Sequence, residues 1–117
     1  MFHYTLMTMN HLLLIMQTTF PVSFDCQPLI HSILQKKWAV CVQKEHPITS
    51  QYHWEGQIET DTEQRLTIKF LASHQPKLTQ FISENHPYDI PEIMVIAPQY
   101  ISPAYLNWAN SLNPENY

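Results

Sequence analysis

Nine prolines and a single glycine set where the elements of this 117-residue chain begin and end. Proline fixes φ and lacks a backbone donor. It therefore falls in first helical turns, at element ends, on edge strands or at bulges. The apolar run Leu12–Thr18 reads as a central strand closed by Phe20-Pro21. Ser23 or Asp25 is placed to cap a helix with Pro28 in its first turn, and Leu29, Ile30, Ile33 and Leu34 share one face of it. Lys36 and Lys37 suit its C-terminal end, where the helix dipole favours cations. Trp38–Val42 reads as a second strand that continues through Ile48, Tyr52 and Trp54, with Pro47 as a bulge or edge feature. Glu55-Gly56 turns the chain, and the lone glycine marks a position that needs positive φ or close backbone approach. Gln57–Ala72 returns as a third strand, with Ile58, Thr60, Thr62, Leu66, Ile68 and Phe70 on one face.

The second half is cut in the same way. Ser73 caps a second helix with Pro76 near its start and Leu78, Phe81 and Ile82 on its buried face. Asn85-His86-Pro87 ends it, and Glu92–Ala97 is a fourth strand. Ser102-Pro103 starts a third helix that carries Tyr105, Trp108, Ala109 and Leu112 on one face and runs to about Asn113. This order gives an α+β, ferredoxin-like βαββαβ antiparallel sheet with a long hairpin between the second and third strands and an extra C-terminal helix. The hairpin arms exceed the usual strand length of about five or six residues, so they project beyond the sheet and offer docking edges to another subunit. Residues 1–10 carry little pattern and are expected to be a disordered lead, with residues 11–117 forming one domain.

Charge excludes one class of partner. The net charge is −4, and the only fixed cations are Arg65 and five scattered lysines. No basic stripe exists to displace counterions, so no nucleic acid is expected. Charged residues are 14% of the chain against a typical ~25%, which suits either a surface partly hidden between subunits or one kept soluble by Gln, Asn, Ser, Thr and His. The apolar run at Leu12–Met16 is too short to span a bilayer and lacks a basic lead, so no membrane association is expected. Cys26 and Cys41 form no metal pattern or disulfide framework and read as free thiols in a reducing cytoplasm.

Three segments concentrate unusual residues. Tyr52-His53-Trp54-Glu55-Gly56-Gln57-Ile58-Glu59 at the hairpin tip reads either as stacking platforms for a ligand or as cross-strand packing. His86-Pro87-Tyr88-Asp89-Ile90-Pro91-Glu92 places an imidazole, a phenol and two carboxylates between prolines. There His86 with Glu92 or Asp89 suits a divalent cation, and the bland reading is a rigid loop capping the second helix. Thr18-Thr19-Phe20-Pro21 puts hydroxyls at a helix entrance without a glycine-rich phosphate loop. No nucleophile-base motif, P-loop or HExxH is present, so no enzyme is expected.

Together these residues resemble the CutA family of divalent-cation tolerance proteins. The likeness runs from about Leu14 to Trp108. It rests on Thr19-x-Pro21, on Ala39-Val40-Cys41-Val42, and on Tyr52-x-Trp54-Glu55-Gly56-x-Ile58-Glu59 with Glu63 after it. It continues with Ile68-Lys69, His86-Pro87-Tyr88-Asp89-x-Pro91-Glu92 and Pro103-Ala104-Tyr105-Leu106-x-Trp108. The resemblance implies a ferredoxin-like homotrimer with hairpins packed between subunits, without established enzymatic activity. It links bacterial members to tolerance of copper and other divalent metals, and animal members to acetylcholinesterase anchoring. It also implies a likeness to trimeric PII-type signalling proteins, so the alternative is a signalling or scaffold trimer that binds a small ligand or a protein partner. An inter-subunit ligand pocket would correspond to Trp54, Glu59, Lys69, His86, Tyr88 and Tyr105. His86 is the leading metal ligand, for Cu²⁺ in particular, with Glu92 and Asp89 behind it. Thr18 and Asn85 stand where some bacterial members carry a cysteine and a histidine as copper ligands, so of those three positions only His86 is retained.

Overall fold

Leu13–Pro21 forms β1, a strand one position shorter at its start and three longer at its end than the apolar run suggests. It is central because both of its edges are paired in the computed structural model, which describes residues 12–113. The lead expected to be disordered, residues 1–10, lies outside the described residues. The other elements are α1 (Gln27–Gln35), β2 (Cys41–Trp54), β3 (Gln57–Leu71), α2 (Gln75–Asn85), β4 (Ile93–Ile96) and α3 (Pro103–Ser111). The sheet order is β2-β3-β1-β4 with every pair antiparallel, which is the ferredoxin-like arrangement.

Strand register sorts the side chains into two faces. Met16 pairs with Ile68, Thr18 with Leu66 and Leu14 with Phe70. This face carries α1 and α2, whose Leu29, Ile30, Ile33, Leu78 and Ile82 join Met16, Phe20, Leu66, Ile68 and Phe70 in one core. The opposite face is covered at one end by α3, where Ala109 packs with Leu13 and Leu71. Met94 and Ile96 on the same face stay about half exposed.

Three local expectations are corrected. Trp38–Val40 is not strand: Lys37 takes a positive φ of 60°, and the Lys37 and Trp38 amides donate back to the Leu34 and Ile33 carbonyls (both 3.0 Å). This is a Schellman closure of α1 with lysine where glycine is usual, and it draws Trp38 and Ala39 into the helix end. Lys36 then sits with its ammonium 4.6 Å from the Trp38 ring centre and 4.7 Å from that of Phe81. Ser73 does not cap α2, because residues Ala72–His74 make a 3₁₀ turn and His74 takes the cap position. At the start of α1 it is Asp25 that accepts the Gln27 amide (3.1 Å), while Cys26 occupies the cap position.

The hairpin is as long as expected. Its arms have 14 and 15 residues, and at ~3.4 Å per residue the longer one spans about 50 Å. That matches the molecule's longest dimension, 50 Å against 29 and 24 Å. Glu55 and Gly56 form its two-residue turn with φ of 49° and 78°, both in the left-handed region that such turns require. At the distal end Ile58 is 71% exposed, because the sheet and helices stop short of it. The register slips between Glu45 and Ile48, where β2 advances three residues against two of β3. A one-residue bulge exchanges faces. Beyond it Tyr52 and Trp54 therefore point to the same side as Glu63, away from α1 and α2. Among the described residues no helix is long and apolar enough to cross a membrane.

Candidate functional site

Where β1 ends against β3, the segment between α2 and β4 crosses over the sheet edge and meets the hairpin. Pro87 and Pro91 bound that segment, and His86 anchors it. The imidazole lies on the Phe20 ring, with centroids 4.2 Å apart and planes 17° off parallel. Its Nε2 faces the Thr19 carbonyl oxygen at 2.9 Å, with the Thr18 hydroxyl at 3.3 Å. The Tyr88 amide donates to Nδ1 at 3.2 Å. A carbonyl only accepts and an amide N–H only donates, so the ring is the neutral tautomer with its proton on Nε2. Burial pulls the His86 pKa below the ordinary 6.5, outweighing the Thr19 hydrogen bond and the charge of Glu63, which act in the other direction.

This arrangement predicts a pH effect on stability. Below pH 6.5 the unfolded chain takes up a proton that the folded ring resists, so stability is full above that value and falls as pH drops towards the folded pKa. Protonated Nδ1 would face the Tyr88 amide donor to donor. The urea midpoint is expected to fall between pH 7 and pH 5, with a shallower fall in His86→Gln. Equal slopes in the two proteins would contradict the role given to this ring.

Tyr88 continues the chain of contacts. Its hydroxyl donates to Glu63 Oε2 at 2.7 Å. Burial, reinforced by that hydrogen bond, raises its pKa well above the usual phenol value. Tyr52, across the hairpin, donates to the Asp61 carboxylate, and this bond pushes its pKa up to about 12. Both phenols therefore remain donors at any physiological pH. Gln17 holds Glu92 from β1 (3.0 Å to Oε2). Between hairpin and crossing segment lies a cleft of about 780 Å³ whose walls include Thr19, Tyr52, Trp54, Glu63, Tyr88 and Glu92. Asp89 also lines it, whereas among the described residues no lysine, arginine or histidine does.

The structure thus brings Trp54, Tyr88, Asp89 and Glu92 together, with His86 directly behind Tyr88. Glu59, Lys69 and Tyr105 are elsewhere. Glu59 is on the distal hairpin opposite Tyr52. Lys69 lies with its ammonium 5.6 Å from the Tyr105 ring centre, at the end of the sheet covered by α3. Lys69 and Glu63 share a face of β3 but are six residues, ~20 Å, apart. Glu63 is the charged cleft residue that the sequence did not single out as part of a site. Its signal was alternation, which puts Glu59, Asp61 and Glu63 on one side of β3. Among the described residues no three His, Cys, Asp or Glu side chains converge closely enough to enclose a metal ion.

Residues 14–112 match a family model described as CutA1 divalent ion tolerance protein. Protein CutA of Mus musculus is 33% identical over 94 residues, 80% of this chain and 53% of the mouse protein. The chloroplastic protein CutA of Arabidopsis thaliana is 36% identical over 95 residues, 81% of this chain and 52% of that one. A divalent-cation tolerance protein CutA of Escherichia coli is 33% identical over 93 residues, 80% of this chain and 83% of its own length. The chain therefore spans about half the length of the mouse and Arabidopsis relatives. Among solved structures, CutA1 from Oryza sativa superposes with a TM-score of 0.80 at 33% identity, covering 88% of this chain and 94% of that one. The periplasmic divalent cation tolerance protein CutA from Archaeoglobus fulgidus gives 0.79 at 26% identity, covering 86% and 98%.

Proposed function

The chain belongs to the CutA1 divalent ion tolerance family, and from that premise we propose that it works without catalysis, as a homotrimer that binds divalent cations in the cleft beside Tyr88. One observation carries this reading: three carboxyl groups, those of Glu63, Asp89 and Glu92, line a cleft in whose walls no lysine, arginine or histidine stands among the described residues. Asp89 and Glu92 supply the cation's first oxygens, and water or a neighbouring subunit completes the shell. Oxygen donors suit hard divalent cations, whereas copper favours imidazole nitrogen. Copper in particular would draw on His86 Nδ1, which the Tyr88 amide must first release.

The trimer is supported by what one chain leaves uncovered. On the distal hairpin Ile58 and Trp54 remain exposed among the described residues, an apolar surface that a neighbouring subunit would cover. Lys69 and Tyr105 reach the Trp54–Tyr88 cleft only if a neighbour contributes them. The free thiols of Cys26 and Cys41 fit a reducing compartment, and we propose the cytoplasm. A second reading, a PII-like signalling or scaffold trimer that takes a small ligand or a protein partner, is favoured by the size of the cleft. Its 780 Å³ falls within the range of organic-ligand pockets and far exceeds a bare ion. Light scattering at micromolar concentration is expected to give three times the 13.8 kDa chain mass. A mass of one chain would remove the trimer.

A further inference from the structure

Charge is unevenly spread along the chain. Residues 45–63 of the hairpin hold five of the ten carboxylates and no lysine or arginine. Residues 26–44 and 64–83, which contain α1 and most of α2, hold all six lysines and arginines and no Asp or Glu. Three of those cations collect at one place in the helix layer. The Lys36 ammonium lies in the corner between the Trp38 and Phe81 rings, whose planes meet at 73°. Lys77 stands one turn before Phe81 on the same face of α2. Lys37 follows Lys36, and all three lysines are exposed. Among the described residues no carboxylate pairs with any of them. Leu34, 38% exposed in the last turn of α1, adds apolar surface.

The backbone at Lys37 is a second, independent sign. Its φ of 60° is one that a side chain makes unfavourable, and glycine fills this place in a Schellman closure with less strain. A contact outside the chain accounts for a lysine there. We propose that this end of the helix layer docks an acidic peptide segment of a partner protein. Its carboxylates meet Lys36, Lys37 and Lys77, and an apolar side chain rests on Leu34 and the Trp38 and Phe81 rings. Lysine is a compact point charge, which suits carboxylates spaced along a flexible chain. Three phosphate contacts would give a nucleic acid little hold at physiological salt, and the net charge of −4 opposes an anionic bilayer. None of the patch residues lines the cleft beside Tyr88, so the proposal does not depend on cation binding there.

Fluorescence anisotropy of the full chain with a fluorescein-labelled peptide of sequence EEDFEDE tests it, with KKNFKNK as the basic comparator. Saturable binding of the acidic peptide is expected, weakening as salt is raised, with no binding of the basic one. Lys77→Gln should weaken it about threefold and Trp38→Leu about fivefold. Lys37→Gly should weaken it about threefold while its urea midpoint stays level or rises, because glycine relieves the positive φ. A lysine with a merely structural role would not separate affinity from stability in this way. Because Trp38 closes α1 and its variant can fail to fold, the two exposed lysines decide the outcome. Absence of acidic-peptide binding, binding to phosphatidylserine vesicles alone, or equal affinity in wild type, Lys77→Gln and Lys37→Gly overturns the proposal.

Discussion

Phe20→Ala is expected to lower stability by about 3–5 kcal/mol, the usual cost of removing a buried phenylalanine ring. Phe20 is fully buried, and three layers meet on it. It joins the core formed by β1, β3, α1 and α2. Its ring is stacked between Phe24, with centroids 5.0 Å apart, and His86, at 4.2 Å. The neighbouring backbone cannot easily collapse into the space. Gln64, its partner on β3, ties the Pro21 and Phe24 carbonyls at 3.0 and 2.6 Å and holds the chain open around the ring. Against a typical total of about 5–15 kcal/mol, such a loss is large. The effect should extend beyond stability. His86 loses the surface it lies on, Tyr88 loses the ring that fixes its amide, and affinity in the cleft should fall with the urea midpoint. Urea unfolding at fixed chain concentration measures this, since subunit association would make the midpoint depend on concentration. A loss under about 1 kcal/mol would show that the ring does not support the site.

The second large effect is expected from the carboxylates. Asp89→Asn combined with Glu92→Gln should weaken divalent-cation binding about 100-fold or more, since loss of even an outer partner of a metal ligand typically costs 10–100-fold. Both substitutions keep size and hydrogen-bonding capacity. The new amide at position 92 can still accept from Gln17, which in the native chain donates to Glu92 Oε2 at 3.0 Å, and Asp89 is exposed. Stability should therefore change by no more than about 0.5 kcal/mol, as for most surface substitutions. The contrast with Phe20→Ala is diagnostic: one variant loses affinity through packing, and the other through charge alone.

Most of the fold was legible because proline and glycine report backbone geometry directly. Pro28, Pro76 and Pro103 each lie in the first turn of their helix. Gly56 sits at positive φ in the hairpin turn. The misreadings share a cause. Trp38–Val40 has strand composition, but the Trp38 and Ala39 amides are captured by the closure of α1 at Lys37, where the usual glycine signal is absent. Period-two reasoning follows one face along a strand, and the bulge between Glu45 and Ile48 exchanges faces midway. That exchange puts Tyr52 and Trp54 on the same side of the hairpin as Glu63, and no residue count across the hairpin reveals it. The segment from His86 to Glu92 was legible as a dense, proline-stiffened unit. The commitment of both His86 ring nitrogens was not, since their partners, Thr19 and the Tyr88 amide, are backbone groups that any sequence offers.

The most direct test is a calorimetric titration of the full chain with Cu²⁺, with Zn²⁺ as comparator, in wild type, the Asp89→Asn/Glu92→Gln variant and His86→Ala. Saturable binding in wild type is expected, tighter than about 10 μM, and largely lost in the carboxylate variant. For copper alone it should also be reduced in His86→Ala. Wild-type protein that takes up neither ion saturably, or a carboxylate variant that binds as tightly as wild type, would contradict the claim that this cleft is where the protein meets divalent cations.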